Sequence, residues 1–95
     1  MAQNKLPIKS CFTVLNEKGL HTRPSTELVK CVSGFRADVT LSYQDMRVNG
    51  KSLLGILLLA AHRGAKIQIE ASGEDAEACI EAVLALSKEK FHLNY

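Results

Sequence analysis

A chain of 95 residues, 46% hydrophobic and 23% charged, has the size and composition of one small globular domain. Its formal net charge is +2, with Lys and Arg interleaved among Glu and Asp, so no basic run or basic–aromatic stripe supports nucleic-acid binding. The first residues lack the apolar stretch of a secretory signal, and the longest apolar run, residues 53–61, is far too short to span a bilayer. The expectation is a cytoplasmic protein that does not insert into a membrane.

Taken in order, residues 8–14 alternate. Ile8, Phe12 and Val14 fall on one face and Lys9 and Thr13 on the other, which predicts a strand. The hexapeptide Gly19-Leu20-His21-Thr22-Arg23-Pro24 follows. Gly19 turns the chain at low steric cost, and Pro24 lacks an N–H and suits the first turn of a helix. Leu28, Val29 and Val32 then recur at helical spacing, which predicts a helix over 22–33 with Gly34 just past its end. His21 therefore sits at or just before a helix N-terminus.

Ala37, Val39, Leu41 and Tyr43 alternate with Asp38, Thr40 and Ser42, the cleanest strand in the chain. Gln44-Asp45 makes a turn, and Met46 and Val48 mark a short returning strand. Ser52 is placed to cap an apolar helix running from Leu53 to about Ala61. Residues 65–71 alternate again, with Ile67 and Ile69 opposite Gln68 and Glu70. Residues 72–75 start a last helix to about Lys88, with Glu74, Asp75 and Glu77 as acidic partners of its dipole. Residues 89–95 carry no decisive pattern.

The order βαββαβα in a single domain over 1–95 predicts an α+β fold. A four-stranded, mainly antiparallel sheet is covered on one face by three helices, and its other face is polar. Cys11, Cys31 and Cys79 form no Cys-x-x-Cys pair and no metal-like cluster, and are expected reduced and buried or half-buried. Gly50-Lys51-Ser52 is not a nucleotide-binding loop, because Asp45 stands where that motif needs its first glycine. No cofactor, metal site or catalytic triad is expected, and His62 and His92 are read as surface residues.

The chemistry concentrates at His21. The N–H groups of Thr22 and Arg23 at a helix start, with the helix dipole, attract anions. Arg23 adds a permanent planar charge suited to phosphate oxygens. A nucleophilic imidazole beside an anion cradle points to a histidine that accepts and passes on a phosphoryl group; the plainer alternative is a surface or capping histidine. A carrier must release what it accepts, which favours an exposed site.

Four segments in register, Gly19-Leu20-His21-x-Arg23-Pro24, Val48-Asn49-Gly50-Lys51-Ser52-Leu53, Gly64-Ala65 and Gly73-Glu74-Asp75, resemble HPr. This is the family of histidine-containing phosphocarriers of the phosphoenolpyruvate-dependent sugar phosphotransferase system. The resemblance runs from about Phe12 to Leu86. It implies an open-faced β-sandwich with strand order 1-4-2-3. It also implies a phosphohistidine on Nδ1 of His21, assisted by Arg23, with phosphate from Enzyme I going to the IIA domains of sugar permeases.

The family's regulatory serine, target of a serine-directed HPr kinase/phosphorylase, matches Ser52, and a transcriptional regulator is a further implied partner. Leu53 and Leu54, with Thr22, are the expected docking residues, and a monomer is expected. The alternatives are a regulatory or nitrogen-branch paralogue, and a non-phosphorylated interaction module. The family commonly has Ala at the positions of Thr22 and Ser25, and a small residue other than Gly at Gly50, where glycine is expected to loosen the approach to Ser52.

Overall fold

The computed structural model describes residues 6–95. The elements are β1 (Ile8–Thr13), α1 (Thr22–Ser33), β2 (Asp38–Tyr43), β3 (Met46–Asn49), α2 (Leu53–Leu58), β4 (Lys66–Ser72) and α3 (Ala76–Lys88), then a single 3-10 turn at Lys90–His92. The four strands form one sheet in the order β1-β4-β2-β3, with each neighbouring pair antiparallel. The three helices cover one face, giving the open-faced sandwich.

The two-residue periodicity carries the sheet. In β4, Ile67, Ile69 and Ala71 are buried, while Lys66 and Gln68, on the alternate positions, are exposed. In β2, Val39 and Leu41 point into the same core. Leu28 and Val32 of α1, Ile56 of α2, and Cys79 and Val83 of α3 fill it from the helical side. On the open face Glu70 accepts from Arg47 at 3.0 Å and pairs with Lys9 at 3.5 Å.

Two segments depart from expectation. The second helix ends at Leu58, short of Ala61, because the chain turns at Ala60 with φ 50°. That turn keeps Leu59 and Ala61 buried although the helix has stopped. After α3, Lys90, Phe91 and His92 take φ values of 53°, 56° and 68°. Left-handed backbone costs a residue with a side chain roughly 1–2 kcal/mol. Phe91, which is fully buried and meets Phe12 edge-on at 6.1 Å, offsets part of this cost for the three residues, since burying such a ring contributes roughly 1.5–3 kcal/mol.

The cysteines are all free, and one expectation for them is corrected. Cys11 is exposed, because it falls between Ser10 and Phe12 on the polar face of β1. Burial pushes the Cys31 thiol up and the Cys79 thiol up to about 11, so both stay protonated.

Candidate functional site

The loop from β1 to α1 is built to present one side chain. Gly19 has φ 75°, and a Cβ there would overlap the Ala61 carbonyl oxygen. The close approach lets Leu20 N–H donate to that oxygen at 3.0 Å, while Gly19 N–H donates to Asn16 O at 2.9 Å. Leu20 is buried and anchors the loop. Inside the first turn of α1, the buried hydroxyl of Ser25 donates to Leu20 O at 3.0 Å. His21, the next residue, is thus fixed at both sides.

His21 occupies the N-cap position of α1 in extended backbone, and its side chain makes no capping hydrogen bond. Its carbonyl accepts the first helical bond, from Ser25 N–H at 3.0 Å. Thr22 and Arg23, the first two helical residues, have N–H groups with no acceptor inside the helix. His21, Thr22 and Arg23 are all exposed, and Pro24 is buried beneath them. The expected juxtaposition of imidazole, helix start and guanidinium is therefore present at the surface.

Two clefts flank His21. One, of 230 Å³, is lined by Asn16, Lys18, Arg23 and Tyr95 among others. The second, of 370 Å³, is lined by Leu20, Leu57, Ala61 and His62 and connects His21 with α2. His62 and His92 lie at the surface as expected. His62 nevertheless borders the site, through the left-handed turn at Ala60 that shortens α2. Among the described residues no group of acidic, histidine or cysteine side chains is arranged to hold a metal ion, and no helix is long and apolar enough to cross a membrane.

Ser52 caps α2: its hydroxyl accepts from Gly55 N–H at 3.0 Å. The turn before it is tied by Lys51 N–H donating to Asn49 Oδ1 at 2.8 Å and by Lys51 Nζ donating to Phe35 O at 2.8 Å. Leu53 and Leu54 are 36% and 67% exposed and Leu58 is 58% exposed, so α2 buries Ile56 and offers leucines to solvent. Gly50 has a steric reason to be glycine. A Cβ there would lie 2.6 Å from Val39 Cγ1, so glycine is what allows β3 to leave β2 against a buried valine. Asp75 does not cap α3 with its side chain. Its carboxylate accepts from Arg36 N–H at 2.8 Å and Ala37 N–H at 2.9 Å, which pins the entry to β2.

Sequence reasoning missed the residues that close the site from afar. Asn16 is buried, and its Nδ2 donates to Lys90 O at 2.9 Å and to the main-chain oxygen of Tyr95 at 2.6 Å. Tyr95 in turn places its hydroxyl 3.0 Å from Arg23 Nη1. No local pattern marks these contacts, which join residues more than 70 positions apart.

The fold and this loop match known proteins. The family described as "PTS HPr component phosphorylation site" matches residues 8–89. The chain is 39% identical over 81 residues to phosphocarrier protein HPr of Xylella fastidiosa strain Temecula1, covering 85% of this chain and 91% of that protein. Among solved structures, HPr-C-His from Thermoanaerobacter tengcongensis superposes with a TM-score of 0.88 at 30% identity, over 93% of this chain and 99% of that one. A phosphocarrier protein HPr from Bacillus anthracis superposes at 0.81 with 33% identity, over 85% and 96%. With most of its length matched, and a histidine free at the helix start, the chain belongs to the HPr family of phosphocarrier proteins.

Proposed function

We propose that His21 accepts a phosphoryl group from Enzyme I and passes it to IIA domains of sugar permeases, the chain acting as a stoichiometric cytoplasmic carrier and not as an enzyme. The observation that carries this reading is that His21 sits at the N-cap of α1 without using its imidazole to cap it. Its ring is exposed and uncommitted, where the helix dipole and Arg23 favour a bound anion. In the transfer the Nδ1 lone pair forms the N–P bond as the bond from phosphorus to its donor breaks, with the ring proton kept on Nε2. The reverse step hands the group to the acceptor. Positioning and charge do most of this work, since phosphoryl transfer needs little else from a protein.

Docking falls to Thr22, Leu53 and Leu54, and Leu58 extends the same exposed strip. The cleft that runs from His21 and Thr22 to Leu57 of the same helix supports this reading. Ser52 is the regulatory serine of this reading, addressed by a serine-directed kinase/phosphorylase, with a transcriptional regulator as a further partner. The chain acts as a monomer.

The test is incubation with phosphoenolpyruvate and catalytic Enzyme I. One acid-labile phosphate per chain is expected, and none on His21→Ala, whose fold should persist. Acid-labile phosphate remaining on that variant, at His62 or His92, overturns the assignment. Labelling only by the Enzyme I of a nitrogen-branch relay assigns the chain to that branch instead.

A further inference from the structure

The structure assigns Tyr95 as a ligand of the phosphoryl group on His21, a role resting on the carrier reading above. Three observations converge on it. Arg23 Nη1 and the Tyr95 hydroxyl are 3.0 Å apart. A guanidinium has donors only, so the phenol oxygen must accept this bond, and its own O–H proton remains available. Among the described residues that proton has no acceptor. Tyr95 also lines the same cleft as His21, Thr22 and Arg23, so an anion seated on the helix start lies before a phenol that has a proton to give.

The position of Tyr95 is enforced from elsewhere. Asn16 Nδ2 holds both Lys90 O and the Tyr95 main-chain oxygen, and the amide orientation is fixed because only its NH₂ can serve two carbonyl acceptors. Among the described residues this leaves the buried Oδ1 of Asn16 without a donor, an unfavourable arrangement at the base of the strap. The left-handed run Lys90, Phe91 and His92 swings the chain back across α1, and buried Phe91 locks it. Tyr95 lies beyond the residues matched to the family model, 8–89, so the family match does not assign this ligand.

The phenol thereby does two things. It accepts from Arg23 and holds the guanidinium beside His21 before phosphate arrives. It then donates to a phosphoryl oxygen, adding a neutral hydrogen bond to the charge–charge contact from Arg23. Both favour the phosphorylated state without adding another positive charge that would trap it.

The experiment compares wild type with Tyr95→Phe, which keeps the ring and the Asn16 contact to the main chain and removes only the hydroxyl. Each is brought to equilibrium with catalytic Enzyme I at fixed phosphoenolpyruvate and pyruvate, and the phosphorylated fraction and the ³¹P shift of the phosphohistidine are read by NMR. The expected result is a roughly threefold to tenfold shift of the equilibrium constant away from the phosphorylated form in Tyr95→Phe, the scale of one hydrogen bond, together with a moved ³¹P resonance. Equal fractions and an unmoved resonance overturn the proposal and leave the segment a structural strap. A larger phosphorylated fraction in Tyr95→Phe overturns it too, in favour of a tail that obstructs the site. If wild type itself takes no phosphate from Enzyme I, the carrier reading falls first and this proposal with it.

Discussion

The hydroxyl of Ser25 donates to the carbonyl oxygen of Leu20 at 3.0 Å, in a place closed to water. It couples the first turn of α1 to the residue just before His21. Ser25→Ala leaves that oxygen without this donor. The expected loss is about 1 kcal/mol, the usual net value of such a bond, read as a lower urea midpoint. Phosphorylation of His21 should survive, since the backbone contacts of Gly19 and Leu20 remain. A stability equal to wild type would show that the Ser25 hydroxyl contributes nothing to holding the loop.

Gly50→Ala is the second expected loss. The added methyl would stand 2.6 Å from Val39 Cγ1 and 3.1 Å from Val39 Cβ, and Val39 is only 3% exposed. Overpacking of this kind costs roughly 1–3 kcal/mol. Val39→Ala removes the obstructing methyl groups, so the double variant should lose less than the sum of the two single ones. A double-mutant cycle by denaturant unfolding measures that coupling; strict additivity would mean the clash is relieved by backbone movement.

What was legible in the sequence follows from how far each signal reaches. Alternation in β2 and β4 and the helical stripe of α1 were plain because burial repeats along the chain itself. The order β1-β4-β2-β3 was not contained in any such repeat and came through the family resemblance. The end of α2 and the path of residues 89–95 were hidden because Ala60, Lys90, Phe91 and His92 adopt positive φ, a turn signal normally read from glycine or asparagine. His21 and Arg23 stood out because they are contiguous with a helix start. Asn16 and Tyr95 did not, because their contact spans 79 positions.

Acid should act through Asp75. Its carboxyl is held below the ordinary value of 3.8, first by the Arg36 amide, then by the Ala37 amide and the charge of Lys51. A group depressed in the folded state contributes stability that is complete above its unfolded value and lost as pH falls through its folded value. The wild-type unfolding midpoint should therefore drop as pH falls below about 4, where unfolded carboxyls begin to protonate. Asp75→Asn should be less stable than wild type at neutral pH and show a shallower fall on acidification. Parallel pH profiles for the two proteins would remove Asp75 as a source of acid sensitivity.

Ser52 separates two roles that one side chain can hold. As a cap, its hydroxyl accepts from Gly55 N–H at 3.0 Å, so Ser52→Ala should lose about 1 kcal/mol of stability while remaining a good phosphoryl acceptor. Ser52→Asp keeps a capping oxygen and adds a negative charge at a helix start, both tolerated by the fold, so its helical content and melting should stay close to wild type. Its effect should appear in docking instead. The charge would stand beside Leu53 and Leu54, exposed at 36% and 67%, on the helix whose Leu57 shares a cleft with His21. A partner surface carrying acidic groups would be repelled, and the leucines would be harder to desolvate next to a carboxylate. Ser52→Asp should thus raise the Michaelis constant for phosphorylation of His21 by Enzyme I, with maximal rate little changed. Steady-state labelling at varied carrier concentration reads this directly, and a Michaelis constant equal to wild type would make Ser52 a helix cap and nothing more.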